Sequence, residues 1–169
     1  MKGLDIRNEI FGPEHVDTAS SYNALGSLFC DTENYKKALE YHEKALAIRI
    51  PKVGAEHMLV GRSYYNMSTP YMKLNQIDKA KECILKCIQI REKIYGKSNP
   101  DYGAAVLKYA EISINEGDIM EADKYLEEAI EVKNKLKKPD EAFNNDINFV
   151  SALIYLERSK FDEALKSIQ

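Results

Sequence analysis

Apolar side chains recur along this chain at steps of three and four, as in Tyr22, Leu25 and Phe29 and then Tyr35, Ala38, Leu39, Ala45 and Leu46. That spacing lays one apolar stripe along a helix, whereas the strict alternation of a half-buried strand is absent. The pattern then returns with a period of 42 residues: Ala38, Ala80, Ala122 and Ala164 fall in step, as do Gly26, Ser68, Ala110 and Ala152, and Tyr35, Ile77, Ile119 and Phe161. Ala45, Cys87 and Ala129 continue the small-residue theme, and Ile6-Arg7 recurs as Ile48-Arg49, Ile90-Arg91 and Val132-Lys133, with Gly12, Gly54 and Gly96 following in phase. The chain therefore opens inside a repeat, and a period of this length is the signature of a stacked array.

Each period divides into two helices. The pattern predicts first helices over roughly 16–31, 58–74, 100–115 and 140–158, and second helices over roughly 34–50, 76–95, 118–137 and 160–169. Asn99-Pro100-Asp101 carries a capping side chain, a first-turn proline and an acidic residue at a helix start, and Gly54 and Gly96 sit where helices end in a left-handed turn. Small residues recur at one place on each helix because antiparallel neighbours joined by a tight turn approach closely only where no large side chain intervenes. The domain reading is residues 1–14 as the end of a preceding repeat, repeats over 15–56, 57–98 and 99–140, and a partial repeat over 141–169.

The motif Tyr22-x-x-Leu25-Gly26-x-x-Phe29, followed by Tyr35-x-x-Ala38 and Ala45, resembles the tetratricopeptide repeat, and the 42-residue period is similar to the subfamily found in kinesin light chains. The resemblance spans essentially the whole chain. It implies an all-α, right-handed α-α superhelix of antiparallel helix pairs, working as a non-enzymatic protein–protein interaction scaffold. The last repeat departs most from the pattern, with Asn148 at its first aromatic position and Lys138-Pro139-Asp140 displaced by three residues.

Composition narrows the function classes. Of 169 residues 44% are apolar and 30% charged, with 8 glycines and 5 prolines, which excludes collagen-like, low-complexity and disordered chains. Lys plus Arg total 24 against 27 for Asp plus Glu, so the net charge of -3 lacks the basic excess of a nucleic-acid binder. No apolar run approaches the roughly 20 residues of a membrane helix, and Met1-Lys2-Gly3-Leu4-Asp5 lacks a signal-peptide core. The expectation is a cytoplasmic protein with neither nucleic-acid nor membrane partner. Cys30, Cys83 and Cys87 are odd in number, the last two share a helix four residues apart, and no histidine is spaced with them as in a zinc site. They read as core residues, and no metal or cofactor is expected.

Catalytic signatures are missing. His42-Glu43 lacks the second histidine of a metalloprotease helix, Ser27 beside Gly26 lies mid-helix without the second glycine of a nucleophile elbow, and no phosphate loop exists. His15 and His57 open repeats at equivalent places and read as caps, while His42 reads as a packing residue. The acidic pairs Glu127-Glu128 and Asp162-Glu163 read as solvated faces. Pro70 stands inside a predicted helix, where it removes a backbone hydrogen bond from the carbonyl of Asn66 and bends the chain.

In the resembled family the first helices line a concave groove for a peptide. The positions carried over are Ser20, Asn23, Ala24, Ser27 and Asp31 in the first repeat, and Arg62, Tyr65, Asn66, Thr69 and Lys73 in the second. The third gives Ala104, Leu107, Lys108, Glu111 and Asn115, and the fourth Asp146, Phe149, Val150, Leu153 and Glu157. Each set forms one helical stripe. Packing positions repeat from unit to unit and these do not, as befits a surface tuned to one ligand. Arg62, Asn66, Lys73 and Lys108 make its middle cationic and amide-bearing, which suits an acidic or amide-rich segment of a protein partner. Asn66 and Lys108 match two positions of the family's dicarboxylate clamp, but Asn23, Ser27 and Ala104 occupy others, which argues against a chaperone-tail receptor. Two rival readings are a regulatory or ligand-sensing domain of a larger enzyme or signalling ATPase, and a homotypic assembly unit whose uncapped apolar ends associate end to end.

Overall fold

The computed structural model describes the backbone of residues 2–168 and the side chains of residues 4–161. The described residues form eight helices: α1 (Lys2–Phe11), α2 (Val16–Asp31), α3 (Tyr35–Val53), α4 (Met58–Lys73), α5 (Ile77–Tyr95), α6 (Pro100–Glu116), α7 (Ile119–Lys135) and α8 (Glu141–Ile168). They divide into two compact units, residues 1–90 and 91–169, with α5 beginning in the first and ending in the second. In the first unit α1 packs on α2, α2 on α3 and α4, and α3 on α4; in the second, α6, α7 and α8 pack on one another.

The small positions lie where helices meet. Ala38, Ala45, Ala80, Cys87, Ala110, Ala122 and Ala129 have no exposed surface. Around them the first unit buries Leu39, Met67 and Cys83 under Leu46, Tyr64, Tyr71 and Leu74. The second buries Tyr102, Val106, Ile112, Phe143 and Ile147. Cys83 and Cys87 are core residues, while Cys30 is half-buried. Burial pushes the Cys83 thiol up to about 11, so it stays protonated and inert.

Tight turns make the pairs. Glu33 and Asn75 both stand at φ 58° and Gly117 at φ 90°, each reversing the chain through a left-handed residue. Behind them Asn34 N donates to Phe29 O at 2.8 Å, Gln76 N to Tyr71 O at 2.9 Å and Asp118 N to Ser113 O at 2.9 Å. Between repeats Gly54 stands at φ 89° and ψ 154°, a region that only glycine enters freely.

His15 Nδ1 accepts from Asp17 N at 3.2 Å, His57 Nδ1 from Leu59 N at 3.1 Å and Asn99 Oδ1 from Asp101 N at 2.8 Å. These are the helix caps expected at one phase of the period. α4 runs through Pro70, whose ring is fully buried, so this proline is a packing residue near the helix end.

The fourth repeat differs from expectation. A turn was expected between 158 and 160, but α8 continues as one helix of 28 residues. Ser159 occupies the place of Glu33, Asn75 and Gly117, and its backbone stays helical where theirs takes positive φ. As a result Phe161 is 70% exposed, and Ala152, at the small-residue position, is exposed too. Ala164 and the acidic pair Asp162-Glu163 lie outside the described side chains.

Candidate peptide-binding surface

Helix periodicity places the first-unit candidates on α2 and α4. On α2 the hydroxyls of Ser20 and Ser27 donate back to the carbonyls of Val16 at 3.1 Å and Asn23 at 3.2 Å, so both are engaged within their own helix. Asn23 is buried, and its Oδ1 accepts from Asn66 Nδ2 at 3.3 Å and from His42 Nδ1 at 3.2 Å. Because that oxygen carries no proton, His42 donates from Nδ1. The His42 ring is 1% exposed and stacked against Gly26, and burial, with help from the Arg49 charge, lowers its pKa to about 4. His42 is thus neutral near pH 7 and serves to lock Asn23, which in turn ties α2 to α4 through Asn66.

Around that lock the α4 stripe is open. Arg62 and Lys73 are exposed and neither forms an ion pair within the described residues, while Tyr65, Asn66 and Thr69 are half-buried between them. The face therefore offers two cations, an amide, a hydroxyl and a phenol ring on one side of one helix.

The second-unit candidates behave differently. Lys108 is ion-paired to Glu111 three residues on, with both side chains partly buried, so its charge is answered within the helix. Asn115 is exposed and Ala104 half-buried. Two positions assigned to the groove prove to be core: Leu107 is 3% and Val150 4% exposed, because α8 packs against α6 and α7 and covers the flank on which they lie. On α8, Asp146 and Phe149 are exposed, Leu153 is half-buried, and Glu157 takes a 2.6 Å bond from Lys160. A separate cleft of about 1070 Å³ lies between the α6–α7 turn at Glu116–Met120 and the α8 segment Glu157–Phe161.

Sequence reading missed one device. Arg7 Nη1 donates to Ser21 Oγ at 2.7 Å, and Arg49 Nη1 donates to Ser63 Oγ at 2.7 Å and to Leu59 O at 3.0 Å. Arg91 Nη1 donates in the same way to Asp101 O. The signal was present: the recurring Ile-Arg pair is followed fourteen residues later by Ser21 and then Ser63, in phase with the period. Among the described residues no group of three or more His, Cys, Asp or Glu side chains is arranged to hold a metal ion, and no helix is long and apolar enough to cross a membrane.

Comparison with known proteins bears on the repeat and its fold. Family models described as tetratricopeptide repeat match residues 1–50, 22–93 and 104–142. The chain is 22% identical over 168 residues to a clustered mitochondria protein homolog of Homo sapiens, covering 98% of this chain and 13% of that protein. It is 20% identical over 154 residues to the protein kinesin light chain-related 1 of Arabidopsis thaliana, covering 90% and 25%. The chain thus spans between about an eighth and a quarter of the length of these curated relatives. Among solved structures, BtubC (BKLC) from P. vanneervenii superposes with a TM-score of 0.76 at 17% identity, covering 90% of this chain and 61% of that one. A Podosopora anserina chain of nearly identical, kinesin light chain TPR-like repeats gives 0.75 at 20%, covering 96% and 77%. These likenesses show the fold, that of the tetratricopeptide solenoids.

Proposed function

We propose that this chain, which belongs to the tetratricopeptide repeat family, is a non-enzymatic interaction module that holds an acidic or amide-rich peptide segment of a partner protein on its first-helix stripes. The observation that carries the reading is the α4 face: Arg62 and Lys73 are exposed without an ion pair, beside Tyr65, Asn66 and Thr69. Charge-assisted bonds from such donors contribute about 1.5–3 kcal/mol each when desolvated and much less at an exposed rim. On α2, Asn23 and Ser27 act by setting the shape of the face, since the Asn23 side-chain oxygen and the Ser27 hydroxyl are already engaged. In the second unit Asn115 is the exposed polar group of the candidate positions on α6, while Lys108 and Glu111 answer each other.

Pull-down followed by arrays of short acidic and amide-rich peptides supplies a ligand. Fluorescence anisotropy then tests the face. The double reversal Arg62→Glu, Lys73→Glu is expected to weaken binding by about tenfold or more and to remove most of its salt dependence. Lys108→Glu is expected to weaken it less, because that charge is already neutralised. Undiminished affinity in the double reversal, together with loss on Lys44→Glu on α3, would place the binding surface elsewhere.

A second reading, self-association, is favoured by apolar side chains left exposed on α1 and α8: Ile6, Ile10, Phe11, Phe149, Tyr155, Leu156 and Phe161. Sedimentation velocity across a concentration series would show a mass increase that Phe149→Asp or Phe11→Asp abolishes. A single monomer species throughout would end that reading.

A further inference from the structure

The joint between α3 and α4 holds a charge that its surroundings do not answer. Arg49 has no exposed surface, and only one of its three guanidine nitrogens is bonded: Nη1 donates to Leu59 O and Ser63 Oγ, while Nε and Nη2 are buried without an acceptor. The two vacant nitrogens are adjacent and form one flat edge of the guanidinium, the edge that matches the two oxygens of a carboxylate. A guanidinium enclosed this way is costly unless an anion or further acceptors meet it.

The three joints share one bond: Nη1 of Arg7, Arg49 and Arg91 donates to the backbone carbonyl ten residues on, at Asp17, Leu59 and Asp101. They differ in burial, since Arg7 is exposed and Arg91 half-buried where Arg49 is sealed. Thirteen residues on, where the other joints carry Ser20 and Ala104, this one carries Arg62. The second joint therefore carries a second base where the others carry none. Arg62 is the charged group that acts on Arg49, and burial followed by that like charge lowers the Arg49 pKa to about 10. His42, also on α3, is neutral and committed to Asn23.

We propose that this joint is a carboxylate seat, in which the Nε and Nη2 edge of Arg49 grips one carboxylate bidentately and Arg62 adds the second cation. The carboxylate belongs to the bound peptide if the function proposed above holds, and the inference rests on that reading to this extent; a small free carboxylate is the same chemistry from another source. Because Arg49 is sealed in the unbound protein, the anion enters only as the side chains covering it yield, and it then holds α3 and α4 together from within.

The test follows the arginine Nε–H resonances of the full chain by NMR, titrating acetate, glutarate, inorganic phosphate and an acidic peptide from the array against chloride at constant ionic strength. The Arg49 signal is expected to shift saturably with carboxylates and its hydrogen exchange to slow about tenfold or more, as a fork of charge-assisted bonds requires. Arg62→Gln should weaken the response by about fivefold or more, in line with the loss of one partly exposed cation. Response to the peptide but not to acetate or glutarate assigns the seat to the partner's side chain, and response to acetate from a chain that binds none of the array peptides supports the seat while removing the peptide reading. An Arg49 signal that ignores every carboxylate, even as a peptide binds the α4 face, overturns the seat and leaves the peptide reading standing. Response to phosphate alone overturns the carboxylate assignment.

Discussion

Replacing Gly26 by alanine would drive a methyl group into the space held by the His42 ring. The added carbon would lie 2.6 Å from Cε1, 2.7 Å from Nδ1 and 2.8 Å from Nε2, well inside contact distance for all three atoms. The ring has little room to retreat, because it is 1% exposed and bonded to Asn23. Overpacking of this kind costs about 1–3 kcal/mol, while alanine in place of glycine inside a helix returns about 1 kcal/mol. The net expectation is a loss of up to about 2 kcal/mol, carried by the repeat's geometry and by the lock between α2 and α4. Gly61 supplies the control within the same unit. There a Cβ meets Ile90 Cγ2 at 3.1 Å and no other atom closer than 3.5 Å. That methyl has to give way by only a few tenths of an ångström, against full overlap with a ring at Gly26, so Gly61→Ala should lie within about 1 kcal/mol of neutral. Urea unfolding of the full chain, followed by circular dichroism and tyrosine fluorescence, measures both. If Gly26→Ala is as stable as Gly61→Ala, the ring is not wedged as described and the lock is not a packing constraint.

Three further outcomes follow from the same geometry. His42 has a folded pKa near 4 against an ordinary value of 6.5, so protons bind the unfolded chain first; its contribution to stability is complete above pH 6.5 and is lost as pH falls toward 4. His42→Gln should flatten that part of the stability–pH curve, and an unchanged slope in urea titrations across the window would refute the assignment. Ser63→Ala removes an acceptor from the buried Arg49 and should cost about 1–3 kcal/mol, whereas Ser21→Ala, serving the exposed Arg7, should cost less than about 1 kcal/mol; equal losses in thermal unfolding would contradict the burial argument. Asn99→Ala should cost about 1 kcal/mol through loss of the α6 cap while Asn99→Asp stays near neutral, as judged from urea midpoints.

Much of the fold was legible because helix pairing depends on residues that a linear pattern displays. Ala38, Ala80 and Ala122 advertise close helix contact by size alone, and His15, His57 and Asn99 advertise helix starts by phase. The stripe on α4 was legible for the same reason, since helical steps place Arg62, Tyr65, Asn66, Thr69 and Lys73 on one side. Flanks were not. Leu107 and Val150 belong to the stripes by spacing, and only the packing of α8 decides that they are covered. Nor could spacing show that Lys108 turns to Glu111 rather than outward, because both choices satisfy the same helix. The Arg49 joint went unread because its partner is a serine fourteen residues away, a residue type too common to stand out until the geometry joins the two.

Consider again the turn that α8 omits. At Glu33, Asn75 and Gly117 a single residue with positive φ separates one long helix from two short ones, and at Ser159 that reversal is not taken. The outcome is a rod of about 42 Å at 1.5 Å per residue. For a non-glycine residue the left-handed conformation is disfavoured by only about 1–2 kcal/mol, the scale of one ordinary contact. In such an array the choice between folding back and running on is therefore a matter of one torsion, independent of the faces that do the packing. A lineage could lengthen or curtail arrays of this kind by exchanging a single loop residue, without redesigning any surface that meets another protein.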